Sequence, residues 1–284
     1  MSAHRAYLSC MTRDKNELAA AWFDVMTRMC DATPKGWHSA HGDALALVSG
    51  AAIPSLNVAI STTPDSSTRP DSAASGAALD EAALDEAASE VAGTGLPWSL
   101  IVRGAASDTV AALAARYGLT GREDVLLMGC AAADVVPRPG PATGSLIRPV
   151  GAASAVAYVN ALTEGFEVPG DFFGTLMSGD LLDAPGVSCY LAEADGRPTG
   201  TGMGVQGDRV VGVFNISVVP SARSRGLGRA MTARVMADGF AAGADTAYLN
   251  PSQQGLALYE SMGFRVIETW TAFTASESVS GIDH

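Results

Sequence analysis

Lysine is nearly missing from this 284-residue chain: it stands at positions 15 and 35 only, against 16 arginines. Acids outnumber bases 30 to 18, for a net charge of −12. A chain so short of positive charge is a poor general binder of nucleic acid or of an anionic membrane, both of which recruit clustered basic side chains. No charge-free apolar run reaches the roughly 18 residues of a membrane-spanning helix. Cysteine is scarce as well. Cys10, Cys30, Cys130 and Cys189 form no CxxC pair and no zinc-finger spacing, so they read as reduced thiols of a cytoplasmic protein, with no metal site. Asp14, Lys15 and Glu17 fall where a secretory signal would need its apolar core. The absence of GxxxxGK[ST] and of GxSxG argues against a P-loop enzyme and a nucleophile-elbow hydrolase. His38 and His41 are too isolated for a metal site and read as loop histidines.

What is present describes a globular chain, with 48% apolar and 17% charged residues. Its length suits one large domain or two ordinary ones. Residues 136–145, VPRPGPATGS, have the proline and glycine content of a linker. They predict a boundary between residues 1–140 and 145–284. Residues 61–93 begin as a polar loop and pass into a surface helix.

Alternating and helical spacings predict strands at Ala44–Ser49, Leu56–Ser61, Ser99–Arg103 and Val125–Cys130 in the first half, with helices at Asp80–Val91 and Asp108–Tyr117. The second half reads as a strand at Ile147–Val150, a helix at Ala153–Glu164 and a helical piece near Asp171–Met177. Strands follow at Val187–Ala194, Thr199–Gln206 and Arg209–Val218. The chain then alternates: helix Leu227–Ala242, strand Thr246–Asn250, helix Gln254–Met262, strand Phe264–Phe273. The fold class is α/β, with a mixed sheet. A faint repeat at an offset of 145 matches Ala112-Leu113 with Ala257-Leu258, Gly118-Leu119 with Gly263-Phe264, and Glu123 with Glu268. It suggests two related domains in tandem.

Chemistry concentrates in one place. Between Asp208 and Asp238 there is no acid, yet the interval holds Arg209, Arg223, Arg225, Arg229 and Arg234. Within it, a β-branched strand runs out at Pro220 into a turn containing Gly226 and Gly228, and a helix opens near Leu227. Free N–H groups at a helix start form an anion site, and glycines let a bulky phosphate approach the backbone. By contrast Gly202-Met-Gly204-Val-Gln-Gly207 spells GxGxxG but leads into a strand, so it is a hairpin and no dinucleotide fingerprint.

The run Val218-x-Pro220-x-x-Arg223-x-x-Gly226-x-Gly228 resembles the acetyl-CoA-binding motif of the GNAT superfamily of N-acetyltransferases. The later stretch Leu249-Asn-Pro-Ser-Gln-Gln-Gly-Leu-Ala-Leu-Tyr-Glu-Ser-Met-Gly-Phe264 resembles that family's second signature, in the same order and at a similar separation. The resemblance covers about residues 147–273. It implies an acetyltransferase-like fold and acetyl-CoA as acyl donor. The backbone of Ser217, Val218 and Val219 would lie along the pantetheine arm, beside a bulge in the sheet. Arg223, Ser224, Arg225, Gly226, Leu227, Gly228 and Arg229 would surround the pyrophosphate. Ser252 stands where many members have Asn, which weakens one side-chain contact to CoA. Tyr259 matches the usual general acid.

The first half has no Arg-x-x-Gly-x-Gly run, and Ala114 stands at the position equivalent to Tyr259. It is expected to be a diverged, non-catalytic acetyltransferase-like domain that supports the active half or walls the acceptor site. The acceptor is expected to be a small-molecule or peptide amine, attacked directly in a ternary complex. Glu164, Glu167 and Glu193 are the candidate neighbours of that amine, and Phe166, Phe172 and Phe173 the candidate walls. A homodimer could pair through the last strand, near Glu268–Phe273. The other open readings are a catalytically silent CoA-binding sensor or scaffold and a tandem acyltransferase resembling mycothiol synthase.

Overall fold

The computed structural model describes residues 14–65, 79–137, 145–169, 172–174, 176–177 and 179–276. Most of the expected linker, part of the polar loop, and part of the Asp171–Met177 piece lie outside them. The described chain begins with helix α1 (Lys15–Asp31), capped by Asp14 and burying Leu18, Trp22, Val25, Met26 and Met29. Strands β1 (Trp37–His41), β2 (Ala44–Val48) and β3 (Asn57–Pro64) follow, then helix α2 (Glu81–Gly93), strand β4 (Ser99–Arg103), helix α3 (Asp108–Arg116) and the long strand β5 (Leu119–Ala131). The second half contributes β6 (Leu146–Val150), α4 (Ala155–Phe166), the single turn α5 (Gly179–Leu182), β7 (Val187–Ala194), β8 (Arg197–Gln206) and β9 (Val210–Val218). It ends with α6 (Leu227–Ala241), β10 (Thr246–Leu249), α7 (Leu256–Glu260) and β11 (Arg265–Ala275).

Most expected elements stand where sequence spacing puts them. Helix α1 and strand β1 are additions, and β1 carries His38 and His41, which are therefore strand rather than loop residues. His41 lies between Glu86 (3.3 Å) and Glu90 (3.0 Å) of α2.

All eleven strands join one mixed sheet in the order β1-β2-β3-β4-β11-β5-β10-β9-β8-β7-β6. The halves are thus not two separate sheets. β11 enters between β4 and β5, and β5 enters between β11 and β10, so each half gives its last strand to the other. The antiparallel β5–β11 ladder pairs Val125 with Trp270, two residues 145 apart. A pair separated by the offset of the sequence repeat thus stands near the middle of the ladder.

Because β11 is paired on both sides, its edge is closed to a second copy of the chain. This overturns the expected route to a homodimer. The exposed edges of the sheet are β1 and β6.

Helices α1 and α4 cover one face over a core shared by both halves, with Trp22, Met26, Leu127, Tyr158, Leu162 and Trp270 among its members. The other face has two cores, one under α2 and α3 and one under α6 and α7. The GxGxxG run belongs to this packing. A Cβ on Gly202 would come within 2.6 Å of Met231, and one on Gly204 within 3.0 Å of Val235, so these glycines let α6 lie close on β8.

One buried ionic cluster ties the halves together. The Arg103 guanidinium donates to Glu268 (2.8 and 3.2 Å), to the Thr62 carbonyl (2.9 Å) and to Asn16 (2.8 Å), and Trp270 Nε1 donates to Glu268 (2.6 Å). Arg103 is 3% and Glu268 8% exposed. Without Arg103, buried Glu268 keeps the Trp270 N–H and the half-exposed Lys15 ammonium at 3.7 Å but loses its two closest charged hydrogen bonds, so Arg103→Met is expected to destabilise the fold by about 3 kcal/mol in urea denaturation.

Candidate active site

Strand β9 runs parallel to β10, and the two are paired only from Val210–Thr246 to Gly212–Tyr248. Beyond that point they part. On its other side β9 stays paired with β8, but the register slips between Thr201 and Met203, where Asn215 takes a positive φ of 52°. Such a bulge adds a residue to one strand and bends it away from its neighbour. The result is a split in the sheet beside residues 213–218.

The two free strand ends lead to the motif residues. After β9, Pro220–Ala222 form one 3-10 turn. Ser224 and Gly226 then adopt positive φ values of 61° and 81°, and α6 begins. Gly226 is the residue before the helix, and no side chain caps its N–H groups. After β10, Ser252 Oγ accepts from the Gly255 N–H (3.1 Å), and α7 carries Tyr259. Gly255 makes room for that ring, since a Cβ there would lie 2.8 Å from it.

Tyr259 is buried, with its ring edge-to-face on Phe264 at 5.8 Å. Burial pushes its hydroxyl up to about 12, opposed by a hydrogen bond with the Thr232 side chain of α6. The phenol therefore keeps its proton throughout the neutral range.

The arginines divide by role. Arg223 is folded back: Nε donates to the Val218 carbonyl (3.1 Å), and its other nitrogens reach Glu167 (2.7 Å) and the Gly165 carbonyl (2.8 Å). It fastens the end of β9 to α4. Arg229 donates to Ser261 Oγ, Arg209 to Asp245 (2.6 Å) and Arg234 to Asp238 (2.8 Å). Arg225 is exposed and lines a surface concavity with Leu227, Val219 and Glu164. The acid-free interval is thus largely compensated by acids and hydroxyls from elsewhere in the chain. Ser217 turns its hydroxyl to Thr201 (2.9 Å) and packs against Gly165, leaving its backbone on the split.

A cavity of about 190 Å³ threads the split. Tyr259 and Ser252 line it, as do Asn215, Ile216 and Phe214 of β9. The first half adds Ser55, together with Trp22, Met26 and Met29 of α1, Ser99 and Ile101 of β4, and Glu123 and Val125 of β5, and β11 adds Trp270 and Ala272. Asn250 joins the two sides, accepting from Trp22 Nε1 (2.8 Å) and donating to the Leu126 carbonyl (2.8 Å). Phe166 and Phe173 line the cavity, and Phe172 packs edge-to-face behind Phe173 at 5.1 Å.

None of the three glutamates expected near the acceptor lines this cavity. Glu193 is bound by Arg148 (2.8 Å), Glu167 by Arg223, and Glu164 faces the Arg225 concavity. Glu123 is the cavity's carboxylate. It was visible in the sequence only as the repeat partner of Glu268, because nothing local shows that its strand crosses into the other half. Sequence reasoning missed α1, although Trp22, Met26 and Met29 recur at helical spacing and could have signalled it.

In the first half the equivalent places are filled. β3 and β4 pair from Val58–Ser99 to Ile60–Ile101 and meet again at Pro64–Arg103, with the Asp65 N–H on the Arg103 carbonyl at 3.1 Å. The N-terminus of α2 is capped by Asp80, whose carboxylate accepts from the N–H groups of Ala82 (3.1 Å) and Ala83 (3.2 Å). A wide, open depression around His41 and Glu90 lies on the far edge of the sheet, away from these features.

A sheet that splits beside an uncapped helix start, with a buried tyrosine at the other free strand end, is the architecture of the GNAT acetyltransferases. Residues 157–264 match the acetyltransferase (GNAT) family model, and this part of the chain is a GNAT acetyltransferase domain. A GCN5-related N-acetyltransferase structure from Kribbella flavida is similar over 95% of this chain and 100% of its own, with a TM-score of 0.65 at 18% identity. A protein of Novosphingobium aromaticivorans, described as a GNAT-family acetyltransferase, is similar over 92% of this chain and 97% of its own (TM-score 0.55, 19% identity). A conserved protein of Staphylococcus epidermidis, described as functionally unknown, is similar over 83% and 91% (TM-score 0.54, 11% identity). At these identities the likeness establishes the fold, and its span includes the first half. No curated protein matches the chain. The family match thus supports an acyltransferase domain in residues 157–264. Among the described residues, no helix is long and apolar enough to cross a membrane.

Proposed function

We propose that this protein is an acetyl-CoA-dependent N-acetyltransferase that moves the acetyl group to a primary amine by direct attack in a ternary complex. One observation carries the reading: the free end of β9 leads to an uncapped helix N-terminus, while the free end of β10 leads to a buried, protonated tyrosine. The first suits a diphosphate and the second a leaving thiolate.

In this reading the backbone of Ser217, Val218 and Val219 lies along the donor's arm. The turn from Ser224 to Arg229 holds the pyrophosphate on backbone N–H groups, aided by the Arg225 charge. Arg223 keeps the edge of the split in place, and Ser252 shapes the turn beneath Tyr259. Residues 145–284 bind the donor. Residues 1–140 bind none, because Asp80 occupies their anion site and their strands rejoin at Arg103, and they supply one wall of the acceptor cavity instead.

The amine nitrogen bonds to the acetyl carbon and the carbon–sulfur bond breaks. Tyr259 gives a proton to the sulfur, and the ammonium proton leaves through Glu123 or water. A backbone N–H near Val218 faces the carbonyl oxygen as charge develops on it. A covalent acyl-cysteine is disfavoured by burial, which pushes the thiols of Cys30 and Cys189 up to about 12 and Cys130 to about 11. None of these three lines the cavity. Thiol release from acetyl-CoA is expected to require both the full chain and an amine. Donor binding without release, across a broad amine panel, would instead make this a silent CoA-binding protein.

A further inference from the structure

We propose that Asn250 is a positioning residue: it ties the free end of β10 to the first half and thereby sets where the Tyr259 hydroxyl stands. The proposal deepens the acyl-transfer reading and rests on it for the part that Tyr259 plays; the tie itself is independent of it.

The tie begins where the ladder ends. β10 pairs with β5 from Thr246–Ala131 to Leu249–Met128. Carried two residues further, the same register sets Pro251 opposite Leu126. Proline has no N–H to give, so it cannot supply a ladder bond there. The Asn250 side chain supplies it instead: its amide nitrogen donates to the Leu126 carbonyl at 2.8 Å. Its amide oxygen accepts from Trp22 Nε1 at 2.8 Å. Both partners belong to the first half, one on β5 and one on α1. Trp22 is a firm anchor, since its ring is buried and meets Trp270 edge-to-face at 5.1 Å. Trp270 Nε1 in turn donates to Glu268, which Arg103 holds.

The two sides of the split are thus fastened to different supports. Arg223 ties the end of β9 to α4, within the second half. Asn250 ties the end of β10 to α1 and β5, in the first. From Asn250 to Tyr259 the chain is a short run of bonded turns. The Ser252 carbonyl accepts from the N–H groups of Gly255 (3.0 Å) and Leu256 (3.1 Å), and the Gly255 carbonyl accepts from the Tyr259 N–H (3.1 Å). A shift at the root of this run therefore moves the hydroxyl at its end. A misplacement of about 1 Å in a reacting constellation can cost about 100-fold in rate. The uncapped N-terminus of α6, which the proposed function gives to the diphosphate, lies on the β9 side and has no part in this tie. Turnover and donor binding should therefore respond differently when the tie is cut.

The test uses the full chain. Asn250→Leu, close in size to the natural side chain but without polar atoms, is expected to lower kcat for amine-dependent thiol release by about 10–100-fold. Its Kd for acetyl-CoA, and the number of donor sites per chain by titration calorimetry, should change by less than about twofold. In a Tyr259→Phe background the same substitution should cost less than about threefold, because the group it positions is already gone. An equal loss in both backgrounds, or a donor affinity that falls in step with kcat, overturns the proposal. Hydrogen exchange reads the tie with no donor or acceptor present. Amides of residues 255–262 should exchange at least about tenfold faster in Asn250→Leu, and those of α6 at the natural rate. Unchanged exchange at 255–262 also overturns the proposal. Trp22→Phe removes one of the two bonds and keeps an aromatic ring. It should fall between the natural chain and Asn250→Leu in both readouts, and it decides the matter if the leucine variant does not fold. A natural chain that releases no thiol with any amine would remove the transferase reading. Faster exchange in the variants would then leave the tie standing, and unchanged exchange would remove both.

Discussion

Replacing Tyr259 with Phe is expected to lower kcat by about 10²–10³-fold, within the range general acids contribute, while the Kd for acetyl-CoA changes by less than about twofold. The phenyl ring keeps the space above Gly255 and the edge-to-face contact with Phe264. Only the hydroxyl and its link to Thr232 are lost. The pH profile adds a second constraint. Burial raises the hydroxyl to about 12, so it stays protonated from neutral pH to well above 10. The natural enzyme should gain rate as the amine loses its proton and show no decline from Tyr259 below about pH 11. A Tyr259→Phe variant with unchanged kcat would take the tyrosine out of the acid role. A falling limb near pH 8 would mean that another group is the acid.

Changing Gly226 to Asp should cost about 100-fold in acetyl-CoA affinity by titration calorimetry. The first half has performed the equivalent experiment. Asp80 stands before α2 as Gly226 stands before α6, and its carboxylate occupies the helix N–H groups. Asp80 reaches those groups from extended backbone (φ −83°) and Gly226 is left-handed (φ 81°), so an aspartate at 226 would bring its charge beside the diphosphate's place without copying the cap. Two charge-assisted hydrogen bonds at about 1.5 kcal/mol each account for a loss of that size. Gly226 has φ 81°, a region that aspartate enters more easily than most side chains. An acid at a helix start is itself stabilising, so Tm should be nearly unchanged. Gly226→Ala, strained but uncharged, should lose less than about tenfold. Equal losses in the two variants would point to backbone strain and away from an occupied anion site.

Local patterns made most elements legible: alternation for the strands, helical spacing and glycine stops for the helices. The motif turn was legible for the same reason, because Gly226 and Gly228 sit between a β-branched strand and a helix. What sequence spacing could not show was partnership. Arg223, Arg229, Arg209 and Arg234 look like one cationic patch along the chain, yet each meets a partner brought by a different element. The exchange of β5 and β11 is likewise a long-range pairing. The repeat at offset 145 hinted at duplication but not that Val125 and Trp270 would lie side by side. That pairing moved the candidate base from the second half to Glu123 in the first. Helix α1 is a different case, since its apolar stripe was present in the sequence and simply gave no motif.

The central claim is that one half binds an acyl donor in the split between β9 and β10 and the other does not. A crystal structure of the full chain with acetyl-CoA tests it most directly. One donor per chain is expected, its diphosphate on the N-terminus of α6 and its sulfur within hydrogen-bonding reach of the Tyr259 hydroxyl. A donor bound at α2, a second donor in the first half, or a thioester directed away from Tyr259 would contradict the account.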